Sequence, residues 1–175
     1  MAGTQIEINP VESITAGFIG QPGKRVFYLQ AHGARAVVTL LVEKQQVEAL
    51  ASGIEQFLDE LKEKFPELGE ASDEFDPAKM TLTLPLDPAF RVGQLGLGYD
   101  QERDLLVLVA QEVTVEGREA DEGGTARLFA SRAQMRALGT YGLSLVRQGR
   151  PICGNCGQPI DPEGHFCPRR NGHKH

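Results

Sequence analysis

Residues 40–54, LLVEKQQVEALASGI, pass from an apolar run of Leu and Val directly into a helical pattern. The apolar positions of that pattern recur every three or four residues: Val47, Leu50, Ile54, Phe57 or Leu58, and Leu61. Acidic and basic residues occupy the opposite side, and the pattern ends near Pro66. A helix with one apolar stripe, entered straight from a strand, is expected to pack on a sheet.

A similar passage recurs at residues 128–142, LFASRAQMRALGTYG, at a constant offset of 88 residues. Four positions are identical at that offset: Leu40 and Leu128, Gln46 and Gln134, Ala49 and Ala137, and Leu50 and Leu138. We take a duplicated strands-then-helix unit as a hypothesis, although two unrelated amphipathic helices could match equally well. The second helix is predicted to begin at Ser131, with Gln134 completing a capping box.

Runs rich in Val, Ile, Phe and Tyr, separated by Gly and Pro turns, predict the strands. They cover residues 4–8, 13–19, 25–30, 36–42, 80–86, 90–99, 104–115 and 125–130. Residues 66–78 are acidic and rich in turn formers, which indicates a mobile surface loop. The predicted fold class is α+β: an antiparallel β-sheet with two packed helices, followed by a small C-terminal zinc knuckle.

Length and charge limit the kind of protein this is. With 175 residues and 41% hydrophobic content, the chain is expected to form one α+β body over residues 1–149 and a short module over 150–175. The net charge is −6, and the basic residues are enriched in the last 26 positions, so an acidic body is not expected to bind nucleic acid. No apolar run is long enough for a membrane span and no secretory pattern opens the chain, which predicts a cytoplasmic protein.

The C-terminal segment contains all three cysteines of the chain. Cys153 and Cys156 form a Cys-x2-Cys pair followed by glycine, the turn that directs two thiolates at one metal, and Cys167 supplies a third ligand. His173 is the preferred fourth ligand and His165 the alternative. A site with four protein ligands has no open position, which predicts structural Zn2+, with iron as the other thiolate-binding possibility.

The body offers weaker candidates. Tyr28 and Gln30 share one face of a strand, and together with Arg25, Arg35 and the turn at 20–23 they are our first hypothesis for a ligand or partner surface. An ordinary hairpin surface is the alternative.

A phosphate-binding loop is suggested only by the letters of Gly93-x-x-Gly96-x-Gly98, because these glycines fall in a strand run with no helix after it.

Two stretches resemble a known family. They are Val11-Glu12-Ser13 through Ala31, including Gly20-Gln21-Pro22-Gly23-Lys24-Arg25, and the tail from Cys153 to Gly172 with its Gly-His-x-Cys segment. The chain resembles the uncharacterised, mostly actinobacterial family "domain of unknown function 3090" over essentially its whole length. The resemblance implies a phosphate-linked context, with a histidine-phosphatase-like or a kinase-like protein as partner. It also keeps His165 open as the fourth ligand.

Two functions follow as expectations. The first is a non-enzymatic binding or adaptor protein, because the body shows no base and nucleophile pair and no convergent carboxylates. The second is a hydrolase or transferase acting on a phosphorylated metabolite, with Arg25, Arg35 and Arg91 holding the phosphate near His32. A pocket that gathers these four residues would favour the enzyme.

Overall fold

The computed structural model describes residues 3–21, 23–72, 74–114 and 123–148. The described strands are β1 (Gln5–Ile8), β2 (Ser13–Ile19), β3 (Val26–His32), β4 (Val37–Val42), β5 (Pro88–Asp100), β6 (Leu105–Glu112) and β7 (Thr125–Ser131). The helices are α1 (Lys44–Lys64) and α2 (Arg132–Gln148), and short 3₁₀ turns lie at Pro66–Leu68 and Pro77–Met80. The chain is α+β, as the sequence predicts.

The strands form one sheet in the order β1-β7-β6-β5-β4-β3-β2. Its two ends are joined in the chain by residues 9–12 alone. In this linker the amide of Val11 donates to the carbonyl of Phe129 in β7 (2.8 Å), and the amide of Glu12 donates to the carbonyl of His32 in β3 (2.7 Å). The sheet therefore closes on itself.

The prediction of an antiparallel sheet is wrong at two junctions. β4 pairs in parallel with β5, and β1 pairs in parallel with β7, so the sheet is mixed. Helix α1 carries the chain back along the sheet between β4 and β5, and such a crossover connection is what parallel neighbours require. β1 and β7 are far apart in sequence, so no tight turn determines their relative direction.

The two halves of the chain are built alike. β1 and β2 together correspond to the single long strand β5. β1 pairs in parallel with β7, the last strand of the second half, and the first part of β5 pairs in parallel with β4, the last strand of the first half. The registers match as well. Thr39 and Arg127 are equivalent at the offset of 88 residues, and in the two parallel pairings they oppose Pro88 and Glu7, respectively. In each half three strands then lead into one helix, which is the unit hypothesised from the offset of 88 residues.

Glutamines at equivalent positions, Gln46 and Gln134, cap the first turns of the two helices. The Gln134 side chain accepts from the amide of Ser131 (2.9 Å), and the Ser131 hydroxyl accepts from the amide of Gln134 (3.0 Å), which confirms the predicted capping box. The Gln46 side chain likewise accepts from the amide of Glu43 (2.8 Å).

The core lies between one face of the sheet and the facing stripes of the two helices. Val47, Leu50, Ile54 and Leu61 are buried as predicted, while Phe57 and Leu58 are both partly buried against the core. The helices approach closely at small residues, since a Cβ at Gly139 would lie 3.6 Å from the Cα of Ala51. The largest fully buried side chains are Leu29, Leu40, Ile54, Leu106, Leu108, Leu128, Met135 and Leu138.

The predicted strand at 80–86 is wrong. This segment instead crosses the outer face of β2, β3 and β4, where the Thr15 hydroxyl donates to the carbonyl of Met80 (2.8 Å). Leu82 lies over Gly17 and leaves no room there for a Cβ. The alternating letters TLTLPL resemble a strand, but side chains of the sheet, rather than a neighbouring strand, bind the backbone.

Candidate anion-binding cleft

A cleft of about 330 Å³ opens where the turn between β2 and β3 meets the starts of α1 and β5. Its lining combines apolar strand ends with charged side chains: Gly23, Arg25, Val26, Phe27, Leu41, Val42, Glu43, Lys44 and Arg91. The charged members come from three separate parts of the chain, because β3, β4 and β5 are neighbours in the sheet and the start of α1 follows the end of β4. The fold thus gathers cations that are far apart in sequence.

Arg25 is the most unusual residue of the cleft. Its Nε and Nη1 atoms are buried and have no hydrogen-bond partner among the described residues. The guanidinium lies over the ring of Phe18, 4.1 Å from the centroid, and Phe18 in turn packs on Phe27 at 5.5 Å. Since buried donors without acceptors destabilise a fold, an anionic acceptor in the cleft would satisfy this side chain.

The other charges of the cleft surround the start of α1. Arg91 donates to the Glu43 carboxylate (2.8 Å), but with side chains 54% and 57% exposed the pair contributes little to stability. Lys44 is the first residue of the helix, whose N-terminal end carries partial positive charge. The cleft is therefore lined by three cations, Arg25, Lys44 and Arg91, and by the single carboxylate of Glu43. This excess of positive charge favours an anion.

Positive charge continues beyond the cleft. Arg25 also borders a wide depression of about 1160 Å³ along the two helices, which is lined in addition by Arg136 and Arg147. The one carboxylate in its lining, Glu55, lies 3.4 Å from the Nε of Arg136. Arg25 is therefore shared by the cleft and by a second surface on which positive charge predominates.

The predicted phosphate-holding residues are only partly brought together. Arg25 and Arg91 line the same cleft. His32 ends β3 and Arg35 follows it, so both lie at the far end of this strand, about 20 Å from Arg25 at roughly 3.3 Å per residue. The His32 ring contacts the hydroxyl of Thr83 (3.1 Å) instead. The gathering that would favour an enzyme is not found.

The predicted ligand surface around Tyr28 and Gln30 serves a structural purpose at Gln30. This side chain is 1% exposed and donates to the hydroxyl of Thr39 and the carbonyl of Thr83, both at 3.0 Å. Its oxygen accepts from the amide of Thr83 (2.7 Å). Gln30 is therefore satisfied within the protein.

Sequence reasoning missed two residues of the cleft, Glu43 and Lys44. The junction between the strand and the predicted helix could have indicated them.

A second polar cluster joins β5, β6 and α2. The Asp104 carboxylate accepts from the hydroxyl of Tyr99 (2.7 Å) and from the Arg132 guanidinium (2.9 and 3.2 Å). Burial, and then the bond to Asp104, raises the pKa of Tyr99 to about 12. The hydrogen bond from Arg132 holds the pKa of Asp104 below its usual value. Arg132 also donates to the carbonyls of Leu68 and Gly69 (3.2 Å each).

This cluster fixes the segment after α1 to the body. Arg136 adds a further bond to the carbonyl of Ala71 (2.7 Å). The described part of the acidic segment predicted as a mobile loop is therefore held at several backbone positions. Because all three guanidinium nitrogens of Arg132 and both carboxylate oxygens of Asp104 are engaged within the protein, we interpret the cluster as structural.

The predicted metal ligands Cys153, Cys156, Cys167, His165 and His173 lie outside the described residues. Within the described ranges, no group of three or more His, Cys, Asp or Glu side chains is arranged to hold a metal ion.

The glycines Gly93, Gly96 and Gly98 lie within β5, as expected for a strand rather than a phosphate loop. Neither described helix combines the length and the apolar character needed to span a membrane.

Comparison with known proteins gives one match. The family model described as "Protein of unknown function (DUF3090)" matches residues 6–167. No curated protein matches the chain, and no solved structure matches it. Because the match covers nearly the whole chain, the chain belongs to this family.

Proposed function

We propose that this member of the DUF3090 family is a non-enzymatic binding or adaptor protein that recognises a small anionic, phosphate-bearing ligand in the cleft at Arg25. Arg25 supplies donors from the turn before β3 and Arg91 from β5, and Lys44 adds a charge at the start of α1. Arginine suits this task because its planar fork of N–H groups matches the oxygens of a phosphate.

The observation that carries the proposal is the unsatisfied guanidinium of Arg25. Two of its nitrogens are buried without an acceptor among the described residues, although the cleft beside them is open. A purely structural arginine would normally be paired when its donors are buried. A phosphate group in the cleft would provide the missing acceptors as charge-assisted hydrogen bonds once the guanidinium shifts on the Phe18 ring and turns these nitrogens toward the cleft.

The alternative is a hydrolase or transferase acting on a phosphorylated metabolite. The described lining of the cleft contains no Ser, Thr, Cys or His, so it offers no obvious nucleophile. Its one carboxylate, Glu43, already accepts from Arg91 and is a weak candidate for a general base. Binding without chemistry therefore explains the cleft with fewer assumptions.

We extend the proposal to the C-terminal segment and to a partner. Cys153, Cys156 and Cys167, with His173 or alternatively His165, bind one structural Zn2+ in a zinc-ribbon-like module. A histidine-phosphatase-like or kinase-like protein is the proposed partner, since either would act on the same phosphorylated ligand or present it to the cleft.

Pyrophosphate is a suitable first probe, because the cleft and the adjoining depression can hold more than one phosphate group. Isothermal titration calorimetry at low salt compares the unaltered protein with Arg25→Met and with Arg35→Met. The second variant makes the same change at the far end of β3, outside the cleft. We expect Arg25→Met to weaken binding by about tenfold or more, which corresponds to about 1.4 kcal/mol, and Arg35→Met to bind normally.

Equal binding by all three proteins would exclude the cleft as the site. Phosphate release from pyrophosphate or from p-nitrophenyl phosphate is measured in the same samples. Release by the unaltered protein that disappears in Arg25→Met would support the enzymatic alternative instead.

A further inference from the structure

The closed sheet creates two equivalent grooves, each between a helix and the first long strand of the other half. One lies between α2 and the start of β2, where the Gln134 amide donates to the carbonyl of Glu12 (3.2 Å). The other lies between α1 and β5, where the Gln46 amide donates to the carbonyl of Val92 (3.0 Å). The same glutamine, at an offset of 88 residues, thus borders both grooves.

The groove between α2 and β2 is covered by the chain that follows α1. Phe75 packs edge-on against Tyr141 of α2, with ring centroids 6.0 Å apart. The carbonyl of Met80 then accepts from Thr15 of β2 (2.8 Å). After leaving its helix, this segment therefore docks one aromatic side chain on the helix of the other half.

The groove between α1 and β5 has no such cover among the described residues. It encloses about 460 Å³ and is bordered by Gly53 and Phe57 on the helix and by Gly96 on the strand. Gly53 is the equivalent of Tyr141, and a Cβ placed there would meet only Leu97, at 4.0 Å. A Cβ at Gly96 would meet nothing within 4 Å. The missing side chains leave space for an incoming group.

Among the described residues, the strand beside this groove also has an edge without a strand partner. β4 pairs with β5 only as far as Arg91, and the following residues of β5 pair only with β6 in the described part of the sheet. A free edge next to an apolar groove is a setting in which an extended segment can bind.

We propose that residues 149–175 of the same chain dock in the groove between α1 and β5, with Phe166 as the aromatic anchor. In the sequence this segment follows α2 as residues 65–86 follow α1, and by the likeness of the two halves its counterpart site is the groove between α1 and β5. It is long enough, because Phe166 is farther from the end of α2 than Phe75 is from the end of α1. Phe166 is also its only Phe or Tyr. The proposal does not depend on the ligand of the Arg25 cleft.

A photo-crosslink tests this contact in the full-length protein. Phe57, which borders the groove, is replaced by p-benzoylphenylalanine, which keeps the phenyl ring and adds a photoreactive benzoyl group, and the crosslinked peptides are identified by mass spectrometry after irradiation at high dilution. We expect crosslinks within one chain to peptides from residues 149–175, and their loss when Phe166→Ala is added.

The matched positive control places the same group at Tyr141, where crosslinks to residues 74–80 are expected. If the control reacts while position 57 gives no crosslink, or links only to other parts of the body, the proposal is wrong. Crosslinks that join two chains would assign the groove to a second copy and would also overturn it.

Discussion

The side chain of Gln30 exchanges two hydrogen bonds with the backbone of Thr83, donating to its carbonyl (3.0 Å) and accepting from its amide (2.7 Å). The buried side-chain amide thus makes the hydrogen bonds that a neighbouring strand would make, and it holds the covering segment, residues 80–86, on the sheet. The segment depends on this contact because its backbone has no strand partner of its own among the described residues.

Replacing Gln30 by Ala should destabilise the protein strongly. The change removes the bonds to the backbone of Thr83 and takes the Gln30 donor from the buried Thr39 hydroxyl, and an unsatisfied buried group costs about 1–3 kcal/mol. Urea unfolding measures the loss. Gln111→Ala is the control, because Gln111 is exposed on β6 and should cost less than about 0.5 kcal/mol. A small effect at Gln30 would show that the covering segment is held by other contacts.

Gln46→Ala and Gln134→Ala should lower the free energy of unfolding by similar amounts. Each glutamine accepts from a helix-capping amide and donates to a backbone carbonyl of the other half, so each change removes two bonds, worth about 1–2 kcal/mol together. Gln45→Ala, at an exposed neighbouring position, is the control. Clearly unequal losses would mean that the two helix starts are not energetically equivalent.

Alkaline unfolding should depend on Tyr99. Its pKa in the folded protein is about 12, above the ordinary value of 10.0. The unfolded chain therefore ionises first, and the stability that Tyr99 contributes is complete below pH 10 and is lost as the pH rises from 10 to about 12. Urea unfolding across this range should decline less steeply for Tyr99→Phe than for the unaltered protein. Parallel curves would contradict the assignment.

Arg25→Met should leave the ligand-free protein as stable as before, or more stable by up to about 1 kcal/mol. The change removes two buried donors without acceptors, at the expense of a cation–π contact of about 0.5–1 kcal/mol with Phe18. Thermal unfolding without phosphate measures the difference. A large loss of stability would indicate that Arg25 has a structural role and would weaken the proposed anion site.

Metal analysis tests the proposed zinc module. Elemental mass spectrometry of untagged protein should find about one zinc per chain, and removing one true ligand should reduce it. Of His173→Ala and His165→Ala, only one should lose metal, with His173 as the expected ligand. Protein purified without chelator that contains no metal would contradict the module, while iron in place of zinc would identify the thiolate site with a different ion.

Several features could be predicted because they depend on residues close in sequence. The stripe of Val47, Leu50 and Ile54 predicts the buried face of α1, and Ser131 with Gln134 predicts the start of α2. Each is a local pattern whose period or spacing has one structural meaning. The offset of 88 residues likewise indicates the likeness of the two halves.

Other features depend on contacts that no local pattern carries. Apolar and polar residues alternate at 80–86 as in a strand. Only the hydrogen bond between Thr83 and the distant side chain of Gln30 decides that this segment lies across the face of the sheet instead. Arg25 and Arg91 enter one cleft, while His32 does not, because strand order and strand direction set which ends meet. The sequence by itself determined the α+β class and the helices, and its metal ligands stay a prediction. The tertiary structure alone decided the parallel junctions, the closure and the cleft, because these arise from packing between elements far apart in the chain.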